Sequence, residues 1–119
     1  MSYIFEWSGE TLWSPALRVG KLYVTLADAL ADVVSVPHGL SAMASDFYVV
    51  DRDQLAEFIA ALQAWLPRGH PVGDALLGGF LITSLVLLER MGTALEVDAE
   101  TRRAVAALTH RWPSEGQES

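Results

Sequence analysis

The sequence predicts a mostly helical α+β domain, an N-terminal β-hairpin, open to a third short strand, packed with about four helices. Three observations predict it. Aromatic and β-branched runs flank a glycine-containing turn within the first 13 residues, three later stretches carry apolar residues at spacings of three and four, and capping residues punctuate them. The chain has 119 residues, 51% of them hydrophobic and 19% charged, which describes one domain over residues 1–112 and a polar, disordered tail over 113–119.

Tyr3-Ile4-Phe5-Glu6-Trp7 and Thr11-Leu12-Trp13 read as hairpin strands around Ser8-Gly9-Glu10. Ser14 as N-cap and Pro15 in the first turn predict a helix to about Ser35, with Val19, Leu22, Tyr23, Leu26, Leu30, Val33 and Val34 on its core face. Pro37 and Gly39 end it. Phe47-Tyr48-Val49-Val50 is the candidate third strand. Asp51 and Gln54 then form a capping-box pair, with Val50 and Leu55 as a hydrophobic staple. Leu55, Phe58, Ile59, Leu62, Trp65 and Leu66 are the expected core face of that helix. An apolar helix follows from about Val72 to Met91, closed by Gly92, and a last one runs from about Asp98 to Arg111.

The apolar helix contains Gly78-Gly79, at a cost of about 2 kcal/mol in helix propensity relative to two alanines. Ala75, Gly79 and Thr83 stand four apart on one ridge, so the sequence predicts a neighbouring helix packed closely on Gly79, and destabilisation when leucine replaces it. The longest uncharged run, Ala75 to Leu88, has 14 residues. As a helix it would span about 21 Å, short of the roughly 30 Å of a hydrocarbon core.

Composition excludes several kinds of chemistry. With no cysteine there is no thiol catalysis, Cys-based zinc site or disulfide framework. A formal charge of −7 and only 8 basic residues argue against nucleic acid or an anionic membrane as partner. No two histidines stand at i, i+4, and no serine sits in a Gly-x-Ser-x-Gly elbow. No catalytic residue, metal ligand or cofactor is therefore expected. The irregular stretch Val36-Pro37-His38-Gly39 and the turn acid Asp46 form a candidate ligand loop, with His38 and Asp46 as its titratable groups. Trp7, Trp13, Trp65 and Trp112 suit core or interface anchoring. The start Met1-Ser-Tyr-Ile-Phe-Glu-Trp lacks a basic n-region, so cytoplasmic residence is expected.

The first long helix carries a second pattern. Arg18, Lys21, Thr25, Asp28, Asp32 and Ser35 form one polar stripe whose bases lie toward the N-terminal end and acids toward the C-terminal end, against the helix dipole. No basic residue stands three or four positions from Asp28 or Asp32. Two such helices packed antiparallel about a twofold axis near Thr25 would compensate each other. Arg18, Lys21, Thr25, Asp28 and Asp32 are thus a candidate interface.

Leu12-Trp13-Ser14-Pro15, Val36-Pro37-His38-Gly39-Leu40, Ser45-Asp46-Phe47-Tyr48-Val49-Val50-Asp51, Phe58-Ile59-Ala60-Ala61-Leu62 and Gly79-Phe80-Leu81 resemble a family of small uncharacterised actinomycete proteins, a domain of unknown function. The resemblance covers about residues 3 to 92 and implies no activity. It agrees with 16 alanines, 7 arginines against one lysine, and no asparagine, a high-GC bias. The expected function is a non-catalytic, acidic protein-interaction module that binds a protein partner or itself. One alternative is an immunity or antitoxin-like protein that neutralises a basic toxin. A second is a small-molecule-binding protein or enzyme using the His38/Asp46 loop.

Overall fold

Ser8 and Gly9 both take positive φ (54° and 81°), the conformation of a two-residue hairpin turn, and they join β1 (Ile4–Trp7) to β2 (Glu10–Trp13). The computed structural model describes residues 2–67 and 69–112; the predicted tail, 113–119, lies outside the described residues. Two further strands, β3 (Leu40–Ala44) and β4 (Phe47–Val50), complete a sheet of order β2-β1-β4-β3. β1 and β4 run parallel, with Phe5 opposite Tyr48, and β3 pairs antiparallel with β4. The expected strand at 47–50 is present. β3 was not expected, because Leu-Ser-Ala-Met-Ala holds no β-branched or aromatic residue. It is an edge strand, four of its five residues are exposed, and its conformation comes from pairing with β4.

Helix α1 (Leu17–Val34) starts two residues later than its sequence suggests. Ser14 does not cap it: the Ser14 hydroxyl meets that of Ser2 at 3.0 Å, and the Pro15 carbonyl accepts from the Tyr3 amide at 2.9 Å. The segment before α1 is held against the chain's first residues and stays extended. At the other end Ser35, in the left-handed conformation (φ 57°), terminates the helix. Its core face is also displaced from the expected one. Gly20, Tyr23, Val24 and Ala27 are buried, whereas Leu22, Leu26 and Val33 are exposed.

Helix α2 (Arg52–Trp65) begins as predicted. The Asp51 carboxylate accepts from the Gln54 amide at 3.0 Å, and Val50 and Leu55 are both buried. The reciprocal half of the box is replaced, since the Asp51 amide donates to the Gly39 carbonyl at 2.8 Å. Leu55, Phe58, Ile59 and Leu62 are buried; Trp65 is exposed, outside the core face assigned to it. Helix α3 (Pro71–Arg90) is capped by His70, whose Nδ1 accepts from the Gly73 amide at 2.9 Å, and ends at Gly92 (φ 84°). Helix α4 (Ala99–Arg111) is capped by Asp98, which accepts from the Thr101 amide at 2.7 Å. The described residues thus hold four helices and a four-stranded sheet, a mostly helical α+β fold.

Phe5, Phe58 and the α3 segment Leu85–Leu88 form the centre of the core. By length and mean hydropathy (20 residues, 1.8), α3 could cross a membrane; half of the most apolar stretch is packed inside the fold.

Candidate functional site

α3 packs chiefly on α4 and α2, and α1 chiefly on α2, so α1 and α3 leave an opening between them. That opening is an apolar groove of about 650 Å³. Its α1 wall is Val19, Leu22, Tyr23 and Leu26, and its α3 wall is Ala75, Leu76, Gly79, Phe80 and Thr83. Trp13, Leu108 and Trp112 close one end beside Arg111. Aromatic packing makes the floor rigid: Tyr23 stacks on Phe80 with centroids 5.0 Å apart and meets Trp13 edge-on at 5.5 Å.

Tyr23 also ties the two walls together at depth. Its phenol oxygen lies 2.7 Å from the Ser84 hydroxyl, and both residues are buried. Burial pushes the Tyr23 phenol well above its ordinary range, and the hydrogen bond to Ser84 acts the other way. Because the unfolded chain ionises this group near pH ~10 and the folded chain resists, its contribution is complete below that pH and is lost as pH rises. Tyr23→Phe is expected to cost about 1–2 kcal/mol at neutral pH by orphaning the Ser84 hydroxyl. Chemical denaturation across pH 8 to 11 (~) should then show a shallower alkaline fall than in the parent. The residual fall includes a share from Tyr48, which partial burial also raises.

The rim is what distinguishes this groove from an ordinary crevice. Leu76 is 82% exposed, Leu22 60% and Leu26 39%, and Val72, one turn before Leu76, is 63% exposed. The close packing expected at Gly79 is absent. Gly79 is exposed in the groove, and a Cβ added there or at Gly78 would meet nothing within 4 Å. The ridge of small residues faces an opening, and no helix of the described residues covers it. Gly79→Ala should therefore raise stability by about 1 kcal/mol through helix propensity alone. A melting temperature at or below the parent's would contradict that.

The polar stripe of α1 divides. Arg18, Thr25 and Asp32 recur every seven residues, so they fall within about 40° of one another and some 80° from the line of Leu22, Leu26 and Val33. They flank the exposed apolar seam. Asp28 instead turns to the loop after α1, where its carboxylate meets His38 Nε2 at 2.7 Å. His38 Nδ1 accepts from the Leu40 amide at 2.9 Å, which fixes the proton of a neutral ring on Nε2, donating to Asp28. The compensation for Asp28 comes from ten residues further along the chain. Periodicity within one helix could not reveal it.

His38 and Asp46 are not brought together by these contacts. His38 precedes β3 and Asp46 lies in the turn after it, and a five-residue strand spans about 17 Å. The Asp46 backbone carbonyl accepts from the Ile4 amide at 2.8 Å, joining the β3–β4 turn to β1. Neither residue lines the groove. Of the four tryptophans, Trp13 and Trp112 pack together with centroids 5.3 Å apart at the groove's end, and Trp65 is exposed on α2.

Fold and groove together define a small α+β domain with a four-stranded mixed sheet and an open, apolar groove between α1 and α3. The chain belongs to a family of unknown function, DUF6086, whose model matches residues 1–114. The match extends past the resemblance at 3–92 and takes in α4, which supplies Leu108 and Arg111 to the groove. No curated protein and no solved structure matches the chain.

Proposed function

We propose that this protein is a non-catalytic interaction module that binds a protein partner through the apolar face of α1 and α3. The exposed leucines bordering the groove carry the reading: Leu22, Leu26 and Leu76 line one opening and are all more than a third exposed. A contiguous apolar face rimmed by charge is the usual sign of a docking surface. The net charge of −7 keeps such a face soluble. The alanine- and arginine-rich composition without asparagine supports an actinomycete source.

The test is affinity capture from the native host with the tagged parent and with a Leu22→Glu, Leu76→Glu variant, read by mass spectrometry and including untagged copies of the chain itself. A protein recovered on the parent and lost on a folded variant is the expected result. Identical recoveries would refute the reading. A second reading, a small-molecule-binding protein, draws on the groove's volume, which falls within the roughly 300–1,000 Å³ of ligand pockets. It predicts a thermal shift with an apolar metabolite that the same variant abolishes.

A further inference from the structure

We propose that the partner on this face is a second copy of the chain, with its α1 lying antiparallel along the groove about a twofold axis near Thr25. The inference rests on the interaction reading of the same face and names its occupant.

Charge is the first argument. α1 has no acid in its first turn and no base in its last, so neither end of its dipole is compensated within the helix. Arg18 and Asp32 are exposed and have no ion-pair partner among the described residues. They stand seven residues to either side of Thr25, so a copy related by a twofold axis there brings the partner's Asp32 to Arg18 and the reverse. Both dipole ends are compensated by the same pairing. Asp28 is already engaged by His38, which leaves Arg18 and Asp32 as the pair that a copy completes.

The seam is the second. Val19, Leu22, Leu26, Ala29 and Val33 alternate at three and four, the spacing of an a/d seam, and Arg18, Thr25 and Asp32 then occupy one flanking heptad position. In an antiparallel pair, like flanking positions face each other. The symmetric placement of opposite charges about Thr25 therefore favours the antiparallel register, since in a parallel pair this position would face the other flank of the seam, which at residue 23 is the buried Tyr23, and Arg18 and Asp32 would gain no charge partner.

Gly79 is the third. Its missing side chain serves no packing among the described residues, yet it opens the α3 wall beside Leu22 and Leu26. A partner helix laid along the mouth would find room there for one of its own leucines.

Sedimentation equilibrium at low salt on the full chain is the experiment. The parent is expected to show twice the chain mass. Arg18→Asp and Asp32→Arg should each weaken the dimer about tenfold, and the double variant should recover it, because two symmetry-related pairs are reversed together. Gly79→Leu should remain folded by circular dichroism and become monomeric. A dimer that neither reversal weakens, a double variant without recovery, or a dimeric Gly79→Leu variant overturns the proposal. A monomeric parent also overturns it, and host capture then separates the two ideas. A different protein recovered by the parent and lost by Leu22→Glu, Leu76→Glu removes only the second copy; no such protein removes the interaction reading as well.

Discussion

Gly39→Ala is expected to lower stability by about 3–5 kcal/mol, the largest loss from a one-methyl change anywhere in the fold. Two penalties coincide there. Gly39 sits at φ 81°, where an L side chain is strained, and a Cβ would stand 2.8 Å from the Asp51 carbonyl oxygen, 2.9 Å from Gln54 Cβ and 3.0 Å from the Leu55 amide. Two of these neighbours are backbone atoms at the start of α2 and the third is the root of a side chain, so none can swing aside as a side-chain tip could. The same glycine accepts the Asp51 amide at 2.8 Å, so moving it also uncouples the cap of α2. Gly9 provides the control. It has the same φ of 81°, but its Cβ would meet nothing within 4 Å, so Gly9→Ala should cost only about 1–2 kcal/mol. Urea denaturation of both variants measures the difference, and equal losses would show that crowding against α2 is not the cause.

Local chemistry made much of this fold readable and failed where partners are distant in sequence. The hairpin, the strand at 47–50, the Asp51 cap and the helix breaks depend on residues within a few positions of one another. α1 shows the opposite case. Its apolar residues are spread around more than half its circumference, and periodicity alone chose Leu22, Leu26 and Val33 as core together with Tyr23. Burial instead follows Gly20, Val24 and Ala27, small or compact residues that let the helix approach the sheet and α2. The displaced leucines are the groove's wall, so the misplaced core face and the candidate site are one observation. The glycine pair of α3 was legible as a propensity cost with an unseen reason. The sequence could not say whether that reason lay inside the chain or beyond it. His70 as a cap went unread because histidine is not a usual N-cap residue, and Ser14 misled because an ideal cap was already engaged by Ser2.

Gly20→Ala is the second large effect, an expected loss of about 2–3 kcal/mol although alanine is the better helix former by about 1 kcal/mol. Gly20 faces the N-terminal strand, and a Cβ there would fall 2.4 Å from Tyr3 Cγ and 2.5 Å from Tyr3 Cβ. Those atoms are the root of the side chain, so relief requires moving the backbone that enters β1. Tyr3 is also held from its other side. Its ring stacks on Tyr48 at 6.0 Å, and its amide donates to the Pro15 carbonyl at 2.9 Å, the contact that keeps the segment before α1 extended. Displacing Tyr3 would thus loosen the start of α1, the end that carries Arg18. A double-mutant cycle with Tyr3→Gly isolates the cause. In that background both the ring and the Cβ that obstruct position 20 are gone, and Gly20→Ala should become neutral or slightly stabilising as helix propensity reasserts itself. If alanine at position 20 costs as much without the tyrosine side chain as with it, the close approach of α1 to Tyr3 is not what requires glycine there.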